Sequence, residues 1–149
     1  MEISEVPKRN TLVVRVTTAV AELPGLMGRV FGEVAGFMQR KAIPFGGMPF
    51  ALYHNMDMSS LDVEIGFPVS GPAAGEGEIR ASTIPGGKVV RAVHTGPYET
   101  IESTCNALFA FARENKLPLA DWMYEFYLNG PDTVPPDKLE TEICLPIKG

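Results

Sequence analysis

The amino-acid sequence is written twice, and that constrains the fold more than any other feature of it. Val13-Val14-Arg15 returns as Val89-Val90-Arg91. Leu61-Asp-Val-Glu64-Ile65-Gly-Phe-Pro68 returns as Leu139-Glu-Thr-Glu142-Ile143-Cys-Leu-Pro146. Phe37, Pro44, Tyr53 and Asn55 return as Phe111, Pro118, Tyr127 and Asn129. Each match alone is weak, and the common order makes the repeat. Module 1 covers about 1–70, module 2 about 77–149, and the glycine-rich segment 71–77 links them within one domain of 149 residues.

Periodicity shows what is repeated. In module 1, Glu2–Val6 reads as a short strand ending at Pro7. Residues 11–17 carry Leu12, Val13, Val14 and Val16, the pattern of a half-buried strand. Pro24 suits the first turn of a helix, and Met27, Val30, Phe31, Val34, Phe37 and Met38 follow at helical spacing. Pro44 marks its end. Residues 48–55 and 61–67 close the module as strands. In module 2, 78–84 and 88–94 read as strands and Pro97 opens a helix, with Thr95 and Gly96 as cap candidates. Ile101, Cys105, Leu108, Phe111 and Ala112 make its apolar stripe, and 122–128 and 139–145 are the closing strands. The fold class is therefore α+β: a duplicated module of antiparallel strands with one main helix per half. The repeat predicts pseudo-twofold symmetry, with the helices on one side and the opposite faces free to form a central ligand cleft.

Composition sets limits on partners. Basic residues number 13 against 18 acidic ones, for a net charge of −5, and no basic run is present. Direct nucleic-acid binding is not expected of such a chain, whereas an acidic surface tolerates cationic small molecules. No apolar run reaches the ~20 residues of a membrane span, and Met1-Glu2-Ile3-Ser4-Glu5 lacks signal-peptide character. A cytoplasmic protein without membrane attachment is expected. Cys105 and Cys144 have no metal-ligand spacing, and buried free thiols are expected of them. No metal site and no cofactor are expected.

The strand at 122–128 carries the candidate site. Alternation puts Trp122, Tyr124, Phe126 and Leu128 on one face and Met123, Glu125 and Tyr127 on the other. The first set is greasier and is expected to pack on the helix, so the second would face the cleft. A carboxylate between methionine and tyrosine on such a strand is unusual, since buried charges need neutralisation. Ala51 and Tyr53 match Glu125 and Tyr127 in module 1. Phe50 and Trp122 join the binding candidates, although strand aromatics more often pack in cores. His54 and His94 read as surface or hydrogen-bonded histidines. Glu64 and Glu142 read as the polar outer face of each closing strand.

Longer motifs add a resemblance. His94-Thr-Gly-Pro-Tyr-Glu99 before a helix, then Tyr124-Glu-Phe-Tyr-Leu-Asn-Gly-Pro131, Val134-Pro-Pro136 and Thr141-Glu-Ile-Cys-Leu-Pro-Ile147, resemble the GyrI-like family. This is the effector-binding domain of bacterial multidrug-responsive transcription activators. The resemblance is strong from about Gly77 to Lys148 and weaker over the first half. It implies a cleft lined by aromatics with a glutamate near its centre, at the position of Glu125. It implies polyspecific binding of lipophilic, often cationic compounds; strand alternation and the repeat offer Tyr127, Tyr53, Trp122, Met123, Ala51 and Phe50 as the candidate lining residues. In the activators the domain is fused to a helix-turn-helix region. The two modules occupy these 149 residues, so the expectation is a stand-alone, monomeric binder that sequesters drugs or toxins. Two alternatives stay open. Some stand-alone members resemble hydrolases of strained cyclopropanoid compounds, which would make Glu125 a catalytic base or acid with Tyr127 beside it. The family takes its name from an inhibitor of DNA gyrase, so a protein-regulator role also stands, with no sequence pattern marking a partner face.

Overall fold

Apolar periodicity and proline positions put strands and helices where the repeat predicts them. The computed structural model describes residues 1–148. Its strands are β1 (Glu2–Val6), β2 (Arg9–Thr18), β3 (Phe50–Tyr53), β4 (Leu61–Pro68), β5 (Arg80–Ile84), β6 (Gly87–Thr95), β7 (Met123–Tyr127) and β8 (Glu140–Pro146). Its helices are α1 (Leu23–Arg40) and α2 (Ile101–Glu114). The strand expected over 48–55 shrinks to four residues, with Pro49, which has no N–H to give to a ladder, just ahead of Phe50. Neither α1 nor α2 is long and apolar enough to cross a membrane.

The chain forms two compact units, Lys8–Pro85 and a second built from residues 1–7 with the chain from Gly86 onward. Their boundaries depart from the sequence modules by one strand each. β1 pairs antiparallel with β6, and β5 pairs antiparallel with β2. Each unit therefore takes its outer strand from the other half of the repeat. Within units the strand orders are β3-β4-β2-β5 and β7-β8-β6-β1, the same order with β5 and β1 in equivalent places. Pro7 and Pro85 lie at the crossover points, where a residue without an N–H ends the ladder.

In the first unit, register puts Leu12, Val14, Val63, Ile65, Phe67, Ala51 and Tyr53 on one face. Helix α1 covers that face through Leu23, Val30, Val34, Phe37 and Met38, with the Phe31 ring 5.7 Å from Phe67. Phe50, Leu52, Val13 and Ile84 point the other way and are buried as well. Gly66 lets β4 lie close to β2, for a Cβ there would meet the Leu12 carbonyl oxygen at 1.9 Å.

The outer side of α1 is unusual. Gly25, Gly28, Gly32 and Gly36 fall at helical spacing opposite the buried residues. A Cβ added at Gly28 or Gly32 would meet nothing within 4 Å. Glycine in a helix interior is about 0.8–1 kcal/mol worse than alanine. Gly28→Ala and Gly32→Ala should each raise the stability of the chain by roughly 0.5–1 kcal/mol, read from thermal unfolding. A fall in stability would show that this stripe is packed.

Candidate functional site

Three short sequence segments build the candidate site, and all lie in the unit that contains α2. The first is β7. Glu125 lies opposite Ile143 and Tyr127 opposite Thr141; Ala92 and His94 continue the same face on β6. Helix α2 covers this face. His94 bonds through Nδ1 to Thr104 Oγ1 on α2 at 2.7 Å, and burial first, then the charge of Glu125, raises the Cys105 thiol of α2. The expectation that Trp122, Tyr124 and Phe126 pack on the helix is thus overturned. They share the opposite face with Cys144 and Arg91, as a ladder in which Trp122 stacks on Tyr124 at 5.9 Å and Tyr124 meets Phe126 edge-on at 5.7 Å. The reason is that helix and sheet meet over the polar residues His94 and Thr104, a pairing that apolarity alone does not reveal.

Glu125 is 6% exposed, and its Oε1 accepts a hydrogen bond from the Tyr127 hydroxyl at 3.0 Å. Two residues apart on a strand means one face, so the bond follows from the sequence spacing. A carboxylate this deeply placed requires such donors.

The second segment is the turn His94-Thr-Gly-Pro-Tyr-Glu99. Gly96 adopts φ 135°, in a region costly for a side chain, and its N–H donates to Leu139 O. Thr95 and Gly96 do not cap the helix. Pro97 stays extended, a single 3-10 turn (Tyr98–Thr100) follows, and α2 starts at Ile101 without a side-chain cap bond. Instead Thr100 Oγ1 donates to Pro97 O at 2.8 Å and receives His94 Nε2–H at 2.9 Å. His94 therefore staples the start of α2 to the sheet. The turn delivers Tyr98, whose ring meets Tyr127 edge-on at 6.1 Å. Tyr98 is 39% exposed, and burial of the rest raises its phenol above its usual range. Tyr98 was not among the residues expected at the site. The signal was the turn motif itself, which places its tyrosine at a helix entrance.

The third segment is β8, which runs between β7 and β6 and brings Thr141 beside Tyr127 and His94. Of the other expected site residues, Met123 lies on the Glu125 face and is buried, and Trp122 is half-buried on the far face. Ala51, Tyr53 and Phe50 belong to the first unit. There Ala51 and half-buried Tyr53 face α1, while Phe50, 1% exposed, points away from it.

That first unit holds a polar cluster of its own. Glu64 is 6% exposed, not on a polar outer face. Its Oε2 bonds His54 Nε2 at 2.5 Å and its Oε1 accepts from Ser82 Oγ at 2.5 Å. Since β2 lies between β4 and β5, this clasp spans three strands. Arg15 donates to Asp62 beside it and holds that carboxyl below its usual range. Glu142, the repeat equivalent of Glu64, is half-buried and accepts a long bond from Cys144 Sγ at 3.7 Å.

Cys105 and Cys144 are free, and burial pushes both thiols up to about 12. Such a thiol is ionised to roughly one part in ten thousand at pH 8. Neither should react with iodoacetamide over an hour at pH 8 in native protein, and both should react in urea. Rapid labelling of Cys105 in native protein would show that α2 opens. Among the described residues no cluster of three His, Cys, Asp or Glu side chains could hold a metal ion.

The fold has known relatives. Over 99% of the chain superposes on 96% of the EcmrR C-terminal domain, with a TM-score of 0.87 at 22% identity. It spans only 56% of the longer EcmrR chain seen in a DNA complex. SAV2435 bound to tetraphenylphosphonium superposes over 99% of this chain and 93% of its own, with a TM-score of 0.72 at 14% identity. A hydrolase encoded by lin2189 from Listeria innocua superposes over 99% and 91%, with a TM-score of 0.64 at 14% identity. No curated protein matches the sequence significantly. The sequence profile of one family matches residues 1–148, and on that match the chain belongs to the GyrI-like small molecule binding domain family.

Proposed function

We propose that this chain binds lipophilic cationic small molecules, with Glu125 as the neutralising charge and Tyr127 and Tyr98 as its aromatic partners. The observation that carries the reading is the buried Glu125 carboxylate held by the Tyr127 phenol, with the Tyr98 ring against Tyr127 at the helix entrance. A carboxylate in a low-dielectric site attracts a cation more strongly than one in water. Each aromatic face adds ~0.5–2 kcal/mol. Met123 on the same face supplies an adaptable apolar surface. The relative seen with tetraphenylphosphonium supports a cation as the ligand class, and the net charge of −5 agrees in sign. Ala51 and Tyr53 hold the repeat positions of Glu125 and Tyr127 within the first unit. Phe50 and Trp122 lie on the opposite strand faces and are given structural roles. The binder is proposed to act as a cytoplasmic monomer that contacts neither DNA nor membrane directly.

The test is a fluorescence-anisotropy titration with a lipophilic cationic dye and a neutral dye of equal size. Saturable binding of the cation, at least tenfold tighter than the neutral dye, is the expected result. Equal affinity for both would overturn the reading.

A hydrolase is the second reading, favoured by the Listeria innocua relative. Glu125 would then activate water as a general base and Tyr127 would hydrogen-bond the developing negative charge. Incubation with an electrophilic cyclopropane-bearing compound separates the two. A binder returns it unchanged. Product formation abolished by Glu125→Gln would make the protein an enzyme.

A further inference from the structure

Thr141 sits at the middle of the polar face under α2. Its neighbours across the strands are Tyr127 on β7 and His94 on β6. Its side chain therefore lies on the Glu125 face, between the phenol and the imidazole. It is fully buried, and its Oγ1 has no hydrogen-bond partner. The surrounding groups explain why. The Tyr127 hydroxyl donates to Glu125. His94 gives Nδ1 to Thr104 and Nε2 to Thr100 and the Pro97 carbonyl. Each adjacent polar side chain is directed elsewhere, and the threonine hydroxyl is left over.

Packing does not account for this group. Valine has the same branched shape, prefers strands as strongly, and carries no polar atom to desolvate. A buried hydroxyl without a partner lowers stability, and native structures hold few of them. Thr11 on β2 has an unpartnered buried hydroxyl too, but Thr141 shares its face with the Glu125 carboxylate, where a cationic ligand can supply the missing partner.

We propose that Thr141 selects among cations, favouring those with an N–H bond over those without one. A protonated amine can set its charge against Glu125 and donate its N–H to Thr141 Oγ1. A quaternary ammonium or tetraarylphosphonium ion satisfies the charge and leaves the hydroxyl unpaired. The ligand class is thus the lipophilic protonated amine. This rests on the binding role proposed for Glu125.

The test uses one lipophilic tertiary-amine dye and its N-methylated quaternary counterpart, titrated at pH 7 where both are cationic. Wild-type protein should bind the tertiary amine about tenfold more tightly, the scale of one hydrogen bond to a charged group. Thr141→Val should bring the two affinities within about twofold, by weakening the amine and leaving the quaternary ion unchanged. Its thermal midpoint should not fall, because no hydrogen bond is removed from the free protein. Thr141→Ser should keep the preference. Equal affinities in wild type, or a preference that survives in Thr141→Val, would overturn the proposal. If both dyes bind equally and Glu125→Gln weakens both, the Thr141 role fails alone. If neither binds, or Glu125→Gln changes nothing, the binding reading fails and takes the Thr141 role with it.

Discussion

Phe50→Ala should lower the stability of this protein by about 3–5 kcal/mol, the usual range for removing a fully buried aromatic ring. Phe50 is 1% exposed and lies across from Gly66, where a Cβ would meet the Leu12 carbonyl oxygen of β2 at 1.9 Å. Backbone this close-packed cannot collapse into the space the ring leaves, which puts the cost in the upper part of the range. Against a total stability of roughly 5–15 kcal/mol this is a large fraction. The thermal midpoint should fall by roughly 6–20 °C. In urea, the midpoint should move and the slope should not, because the surface exposed on unfolding is nearly unchanged. The same variant also separates two roles for Phe50. A loss under ~1 kcal/mol, together with weakened dye binding, would make it a ligand contact. The expected large loss, at unchanged affinity in the folded fraction, makes it core.

Glu125→Gln should reduce affinity for lipophilic cations by about 10–100-fold and leave neutral compounds within about twofold. A bond between charged groups in a protein is worth about 1.5–3 kcal/mol, and each 1.4 kcal/mol is a factor of ten in affinity. Glutamine keeps the length of the side chain and an oxygen that accepts the Tyr127 hydroxyl bond. The strand geometry therefore survives, and the change isolates charge from shape. Calorimetric titration with matched cationic and neutral ligands reads both numbers. Salt provides a further check. A buried ion pair is screened little, so the wild-type advantage for cations should persist at 0.5 M sodium chloride. An advantage that vanishes with salt, or that persists in Glu125→Gln, would assign cation selectivity to the acidic surface.

How legible the site was depended on the kind of information each residue carries. The pair Glu125–Tyr127 could be read directly, because residues two apart on a strand share a face in any sheet. Tyr98 could be read only as part of a motif, since its approach to Tyr127 depends on the 3-10 turn that precedes α2. The clasp His54–Glu64–Ser82 could not be read at all. It joins the residue after β3 to β4 and β5, and β5 sits beside β2 only because the outer strands are exchanged between the two halves of the repeat. A repeat in sequence identifies equivalent strands and does not say which copy of the partner strand each one pairs with. Both pairings satisfy the same alternation.

From the sequence alone followed the α+β class, the doubled module, the order of its elements, and the side chains that share each strand face. These depend on periods of 2 and 3.6 residues and on where proline and glycine interrupt them, which are local properties of the chain. The tertiary structure decided which face each helix covers, which outer strand each unit takes, and which polar groups end up buried together. Helix α2 lies over Glu125, Tyr127 and His94 because His94 bonds to Thr104 and Thr100 across the helix–sheet contact. Apolarity ranked the opposite face of β7 as the better place for a helix. The bonds from His94 to Thr100 and Thr104 go with the opposite choice of face, and they exist only once the chain has folded.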